Sequence, residues 1–109
     1  MHELGIAMQL VDAVTERARG ARVRRVVLEI GALTAVLPDA LRFCFDLATA
    51  GSAVEGASLE ILERPGRARC RVCQREFELL RPFGRCVCGG TELDWLGGDE
   101  LRICEMEVA

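Results

Sequence analysis

The stretch CRVCQREFELLRPFGRCVCGG, residues 70–90, constrains this chain more than any other. Two residues separate Cys70 from Cys73, one separates Cys86 from Cys88, and twelve lie between the pairs. Four thiolates can close a tetrahedron around a divalent ion, each close pair supplying one edge. Tight pairs sit in turns whose backbone amides can point at the sulfurs, and Gly89 and Gly90 allow the positive φ such a turn needs. Residues 76–80 between the pairs are expected to form a short hairpin arm. This is the pattern of a zinc ribbon with its second pair one residue tighter than the usual C-x-x-C. A redox disulfide fits less well, because C-x-C closes a strained small ring and no thioredoxin-like βαβ pattern surrounds the C-x-x-C. The four sulfurs would accept iron as well, but zinc is the commoner occupant.

Four sulfurs leave no open coordination position, so the ion they hold is structural rather than catalytic. Such an ion contributes about 10–16 kcal/mol of apparent folding free energy in small zinc domains. Phe77, Leu79 and Phe83 could each contribute about 1.5–3 kcal/mol by full burial, so this segment should not fold without its metal. Arg64, Arg67, Arg69, Arg71, Arg75, Arg81 and Arg85 outnumber Glu76 and Glu78 nearby. That surplus is expected to offset the negative tetrathiolate and keep it deprotonated. Cys44 and Cys104 fall in apolar stripes and are expected to be small core residues.

Outside this insertion the hydrophobic pattern alternates between helix and strand. Leu4, Met8, Val11, Val14 and Ala18 recur at helical spacing, with Met8 read as core, and Gly20 is a natural stop. VRRVVLEIGAL, residues 23–33, reads as a strand with one buried face that ends at Gly31. Pro38 and Asp39 open a second helix with Leu41, Cys44, Phe45 and Ala48 along its apolar stripe. SLEILE, residues 58–63, turns Leu59 and Ile61 inward, and LRICEMEV closes the chain as a third strand. The parity of that last strand is mixed, which calls for a bulge or for partial cover on both faces. The fold class expected is α+β: two helices packed on a small three-stranded sheet, with an inserted zinc-ribbon subdomain. Residues 1–65 and 98–109 form the α+β domain and residues 66–97 the ribbon.

At 109 residues this is one domain plus a small insertion. No apolar run approaches the roughly 18 residues of a membrane span, and no signal-peptide pattern opens the chain, so a cytoplasmic location is expected. A net charge of −3 argues against nucleic acid or a membrane as partner. No second His, Ser–His pair or phosphate-binding glycine loop is present, so no enzymatic constellation is found.

His2 is the only histidine, and it follows Met1 directly. Met1 is expected to be retained because His is large. An amine, a deprotonatable amide and an imidazole in succession form fused five- and six-membered chelate rings, which suit planar Ni(II) or Cu(II). Glu3 offers a carboxylate just beyond. Taken alone, a terminal His is more often an idle solvent-exposed residue than a ligand.

MHELGIAMQLVDAV, VVLEIGALTAV, PDALRFCF, the paired cysteines and GDELRICEMEV together resemble the HypA/HybF family of hydrogenase nickel-maturation proteins over nearly the whole chain. The resemblance implies a nickel metallochaperone, not an enzyme. It implies His2 as the main Ni(II) ligand, with Met1 and Glu3 contributing, and Cys70, Cys73, Cys86 and Cys88 as ligands of Zn(II). It further implies delivery to the large subunit of [NiFe] hydrogenase alongside the GTPase HypB, and leaves room for a homodimer. Cys86-Val87-Cys88 departs from the two-residue spacing usual in that family's second pair. The opposing reading is a zinc-ribbon adaptor or nucleic-acid-binding module with no nickel role.

Overall fold

A computed structural model describes residues 2–109. In chain order the elements are α1 (His2–Ala18), β1 (Val23–Gly31), a 3-10 turn (Ala32–Thr34), α2 (Pro38–Ala48), β2 (Ser58–Arg64), β3 (Gly66–Cys70), β4 (Glu76–Leu79), β5 (Leu93–Gly97) and β6 (Leu101–Val108). The strands form two three-stranded sheets, ordered β2-β1-β6 and β4-β3-β5. This is the expected α+β architecture with its inserted ribbon, and the ribbon brings a sheet of its own.

Ion pairs across the first sheet reveal its strand directions. Arg25 pairs with Glu60 and Arg64 with Glu29, both at a separation of 35 residues, so β1 and β2 run parallel. A parallel pair needs a crossover of a dozen or more residues, and α2 is that crossover. On the other side the Ala109 N–H donates to Arg22 O and the Gly31 N–H to Glu100 O, so β6 runs antiparallel to β1.

The chain divides into two compact units. The first comprises the segment ending at Leu28, Val36–Ile61 and Ile103–Ala109. In it α1 packs on α2. The buried line of α1 runs through Ala7, Leu10, Val11, Val14 and Ala18. Leu4 and Met8, expected in the core, are 39% and 56% exposed. Ile6, Ala7 and Met8 are consecutive apolar residues, so the periodicity defines a broad arc without fixing its centre. Ala7 has the smallest side chain of the three, and it is the one fully buried. Arg19 and Gly20 then take positive φ and end the helix. In α2, Pro38 occupies the first turn, Leu41 and Phe45 are buried, and Cys44 and Ala48 are half-buried.

The second unit comprises Glu29–Ala35 and Leu62–Arg102. Here β3 lies between β4 and β5, antiparallel to both. Leu33, Ala68 and Leu79 form its apolar core, with Phe77 and Leu93 packed against it. Phe83, expected to contribute burial, is 76% exposed. Chain segments meet backbone to backbone at three glycines. A Cβ on Gly31 would lie 2.0 Å from Gly98 O, one on Gly98 2.3 Å from Gly66 Cα, and one on Gly66 2.4 Å from Leu79 O. No side chain fits in these approaches.

β1 was expected to bury one face. Instead every residue from Val26 to Gly31 is buried, because β1 is the central strand of its sheet. That places Glu29 inside at 7% exposure. A lone buried carboxylate would be strongly unfavourable. Arg64 Nε reaches one carboxylate oxygen at 2.6 Å and Arg102 Nε the other at 2.7 Å, so both oxygens accept charge-assisted bonds. Edge strand β6 half-buries Ile103 and Met106 and leaves Cys104 exposed. Both of its faces are thus partly covered, and Cys104 is not the core residue its stripe suggested.

The Arg64 and Arg102 guanidiniums hold the Glu29 carboxyl below its ordinary 4.5. Stability gained from this shift is fully present above pH 4.5 and is lost as pH falls through the lower folded value. Glu29→Gln should therefore flatten the acid limb of the thermal midpoint against pH, while lowering the midpoint at neutral pH. An unchanged acid limb in that variant would show that Glu29 does not supply the linkage.

Candidate metal centre

Two tight turns present the cysteines. β3 ends at Cys70, whose N–H donates to Arg75 O at 2.9 Å while its own carbonyl accepts from Gln74 N–H at 2.9 Å. Gln74 takes φ +66 to turn the chain toward β4. In the second turn the Gly89 N–H donates to Cys86 O at 2.8 Å and the Cys86 N–H to Gly90 O at 2.9 Å. Gly89 sits at φ +95, the left-handed region expected for it, whereas Gly90 does not have a positive φ. The Arg71 N–H donates to Glu92 O at 3.0 Å and ties the two turns together.

The turns bring all four sulfurs within 4.8 Å of one another. Cys70 and Cys88 Sγ are 3.6 Å apart, and Cys73 and Cys86 Sγ 3.5 Å. Four sulfurs at about 2.3 Å from a tetrahedral centre would stand about 3.8 Å apart. The donor set, its count and its spacing therefore fit a tetrahedral thiolate-binding ion. The shortened Cys86-Val87-Cys88 pair reaches the same convergence. Cys70 and Cys86 are buried and Cys73 and Cys88 exposed, so the cage lies at the surface of the ribbon.

Proton affinities differ across the cluster. The Cys73 N–H, aided by the Val72 N–H and the neighbouring thiols of Cys88 and Cys86, brings Cys70 down to about 7 against the opposing effect of burial. The Gly90 N–H pulls Cys88 down too, but its bond to Cys70, its burial and the proximity of Cys86 and Cys73 outweigh that donor and push Cys88 up to about 11. A divalent cation held by all four sulfurs would compensate their charge and displace the remaining protons.

The arginines were expected to compensate this charge, and three of them are engaged elsewhere. Arg64 holds Glu29, Arg69 holds Glu76 and Arg71 holds Asp94. Backbone donors face the sulfurs instead, with Val72 N–H to Cys70 Sγ and Gly90 N–H to Cys88 Sγ both at 3.4 Å. The role of Gly90 is spatial and not a matter of its φ. A Cβ there would stand 2.9 Å from Cys70 Sγ, 3.2 Å from Val72 Cγ2 and 3.4 Å from Cys88 Sγ.

At the other candidate site, His2 is the first residue of α1 and is exposed. Glu3 is half-buried, and one of its carboxylate oxygens accepts from the Leu37 N–H at 3.1 Å. That donor, with a smaller contribution from His2, holds the Glu3 carboxyl below its usual value. Leu37 immediately precedes α2, so the carboxylate links the starts of the two helices. The link was not legible beforehand, because Glu3 and Leu37 are 34 residues apart. Met1 lies outside the described residues.

Residues 1–108 match the family model described as hydrogenase/urease nickel incorporation, metallochaperone, HypA. A hydrogenase maturation factor HypA from Nostoc punctiforme is 56% identical over 108 residues, covering 99% of this chain and 96% of that protein. The corresponding factor from Geotalea daltonii is 46% identical over 109 residues and covers 99% of both. Among solved structures, the solution structure of the Ni metallochaperone HypA from Helicobacter pylori superposes with a TM-score of 0.68 at 24% identity. It covers 99% of this chain and 97% of that one.

The space beside Gly90 generates a test. Gly90→Ala should weaken metal binding by about 10–100-fold, the usual penalty for disturbing groups that position metal ligands. Competition against a chromophoric zinc chelator measures it. Gly5→Ala, where a Cβ meets nothing within 4 Å, is the control. Equal affinity in both variants would show that the cage yields to a methyl group.

Proposed function

The chain belongs to the HypA family of hydrogenase/urease nickel-incorporation metallochaperones, and on that premise we propose that it carries one Ni(II) at its amino terminus and releases it to a hydrogenase under maturation. Cys70, Cys73, Cys86 and Cys88 hold a structural Zn(II) in this reading, and His2, with Met1 and Glu3, forms the nickel site. The observation that carries it is the position of His2 on the exposed first turn of a rigid helix. Backbone N–H groups of a first turn have no acceptor within the helix. The His2 amide can thus lose its proton to a metal without breaking a helical hydrogen bond. The positive end of α1 opposes a bound cation, while the Glu3 carboxylate and the deprotonated amide offset that opposition. Such a balance suits an ion that must be handed on.

The two metals have contrasting surroundings. When bound, Zn(II) supplies a closed cross-link between the cysteine turns and no open position for chemistry. The terminus keeps an open edge through which ligands exchange. No helix among the described residues is long and apolar enough to cross a membrane, and the carrier is read as cytoplasmic. The recipient in this reading is the large subunit of [NiFe] hydrogenase, served alongside the GTPase HypB. Residues 1–65 and 98–109 act as the nickel-binding domain and residues 66–97 as the zinc ribbon.

Calorimetric titration of the untagged chain should give about one Ni(II) per molecule. His2→Ala should abolish this binding, and so should a short extension fused ahead of Met1, which removes the terminal amine. Cys73→Ser should lose zinc while leaving the stoichiometry of terminal nickel unchanged. Nickel binding that is indifferent to both terminal changes would overturn the proposal. An X-ray absorption spectrum showing nickel among sulfurs with no imidazole would do the same.

A further inference from the structure

The strand leading away from the cysteine cage sorts its side chains by charge. Thr91, Leu93 and Trp95 alternate with Glu92 and Asp94, and alternate residues of an extended chain face opposite ways. Asp94 turns to Arg71, accepting from its Nε at 2.8 Å. Thr91, Leu93 and Trp95 line a groove of about 520 Å³, closed on its other side by Phe83 and Arg85. Gly84 lets the Phe83–Arg85 side sit close on Leu79, since a Cβ there would lie 2.7 Å from Leu79 Cδ1. Phe83 is 76% and Trp95 45% exposed, so two aromatic rings stand open to solvent.

The formal charge lining this groove is of one sign. Arg85 and the Trp95 indole N–H can only donate, the Thr91 hydroxyl can donate, and no carboxylate lines the walls. Arg64, Arg69 and Arg71 each hold an acid, but among the described residues Arg85 and neighbouring Arg81 hold none. In a chain with 17 acidic and 14 basic residues, a groove without acids is complementary to an anionic, partly apolar ligand. A single lining cation is too few for a phosphate backbone, whose binding scales with the number of phosphates neutralised. A second copy is a poor source as well. The acidic–apolar segments of this chain, Leu59 to Glu63, Glu76 to Leu79 and Glu105 to Val108, are already paired in sheets as parts of β2, β4 and β6.

We propose that this groove binds an extended segment of another protein in which a carboxylate adjoins a large apolar side chain. The apolar side chain packs between Phe83 and Trp95, and the carboxylate accepts from Arg85. This site is separate from the amino-terminal nickel reading and does not depend on it.

Trp95 is the only tryptophan, so its fluorescence reports on the groove. The experiment titrates the full, metal-loaded chain with a short peptide of alternating leucine and glutamate. A leucine–glutamine peptide and a polyuridine oligonucleotide serve as comparators. A saturable Trp95 shift is expected with the glutamate peptide, with affinity about tenfold weaker for the glutamine peptide. Arg85→Gln and Phe83→Ala should each weaken the glutamate peptide about tenfold without changing the ribbon's metal content. Equal binding of the two peptides would overturn the proposal, as would tighter binding of the oligonucleotide. A Trp95 shift that depends only on protein concentration would favour self-association instead and overturn it too. Should Arg85→Gln lose metal, Phe83→Ala decides, and unchanged peptide binding in that variant also refutes the site.

Discussion

Four cysteine sulfurs within 4.8 Å of one another are the constraint on which the ribbon depends. Its apolar core is small, built on Leu33, Ala68 and Leu79. Burial on that scale stands against the conformational entropy of a segment of several tens of residues. Sulfur convergence resolves the deficit by fixing both turns to one point. Everything nearby accommodates that point. Gln74 and Gly89 adopt left-handed backbone, amides aim at sulfur, and Gly90 has no side chain where one would strike Cys70.

A different constraint governs the sheet that contains β1. Its central strand is buried on both faces, yet it carries Glu29. Arg64 from β2 and Arg102 from β6 meet the two oxygens of that carboxylate. A buried anion with two matched donors specifies register as well as charge, since a one-residue slip of either neighbour would remove an arginine and leave an unpaired charge. At the amino terminus Glu3 plays a related part on a smaller scale, linking the first turn of α1 to Leu37 ahead of α2. Both carboxylates serve as fixed anions that join separate elements.

Much of this was readable from residue order. Helix α2 was announced by Pro38 and its stripe, β1 and its end at Gly31 by the apolar run, and the ribbon by its cysteines. The misreadings share one cause. Periodicity reports which residues could be buried but not which neighbours will cover them. Met8 and Leu4 satisfy a helical stripe, but the helix faces its partner through Ala7 instead. Cys104 and Phe83 look like core and are exposed, since an apolar pattern does not say how far its face is covered. Strand β3 carries no hydrophobic signal because its inward residues, Gly66, Ala68 and Cys70, are small and alternate with arginines. Proximity in sequence points the arginines at the thiolates, whereas three of them meet carboxylates.

The sequence alone determined the thiolate donor set, since donor type and count follow from which residues are present, and four cysteines in two tight pairs admit few arrangements. It also determined the succession of helices and strands, because hydrophobic period is a local property. Tertiary structure decided what distance in the chain concealed. Glu29 finds Arg102 across 73 residues, Glu3 finds Leu37 across 34, and β5 turns Asp94 toward Arg71 while Trp95 lines an acid-free groove. Those outcomes depend on which faces meet in space, and local patterns carry no record of that.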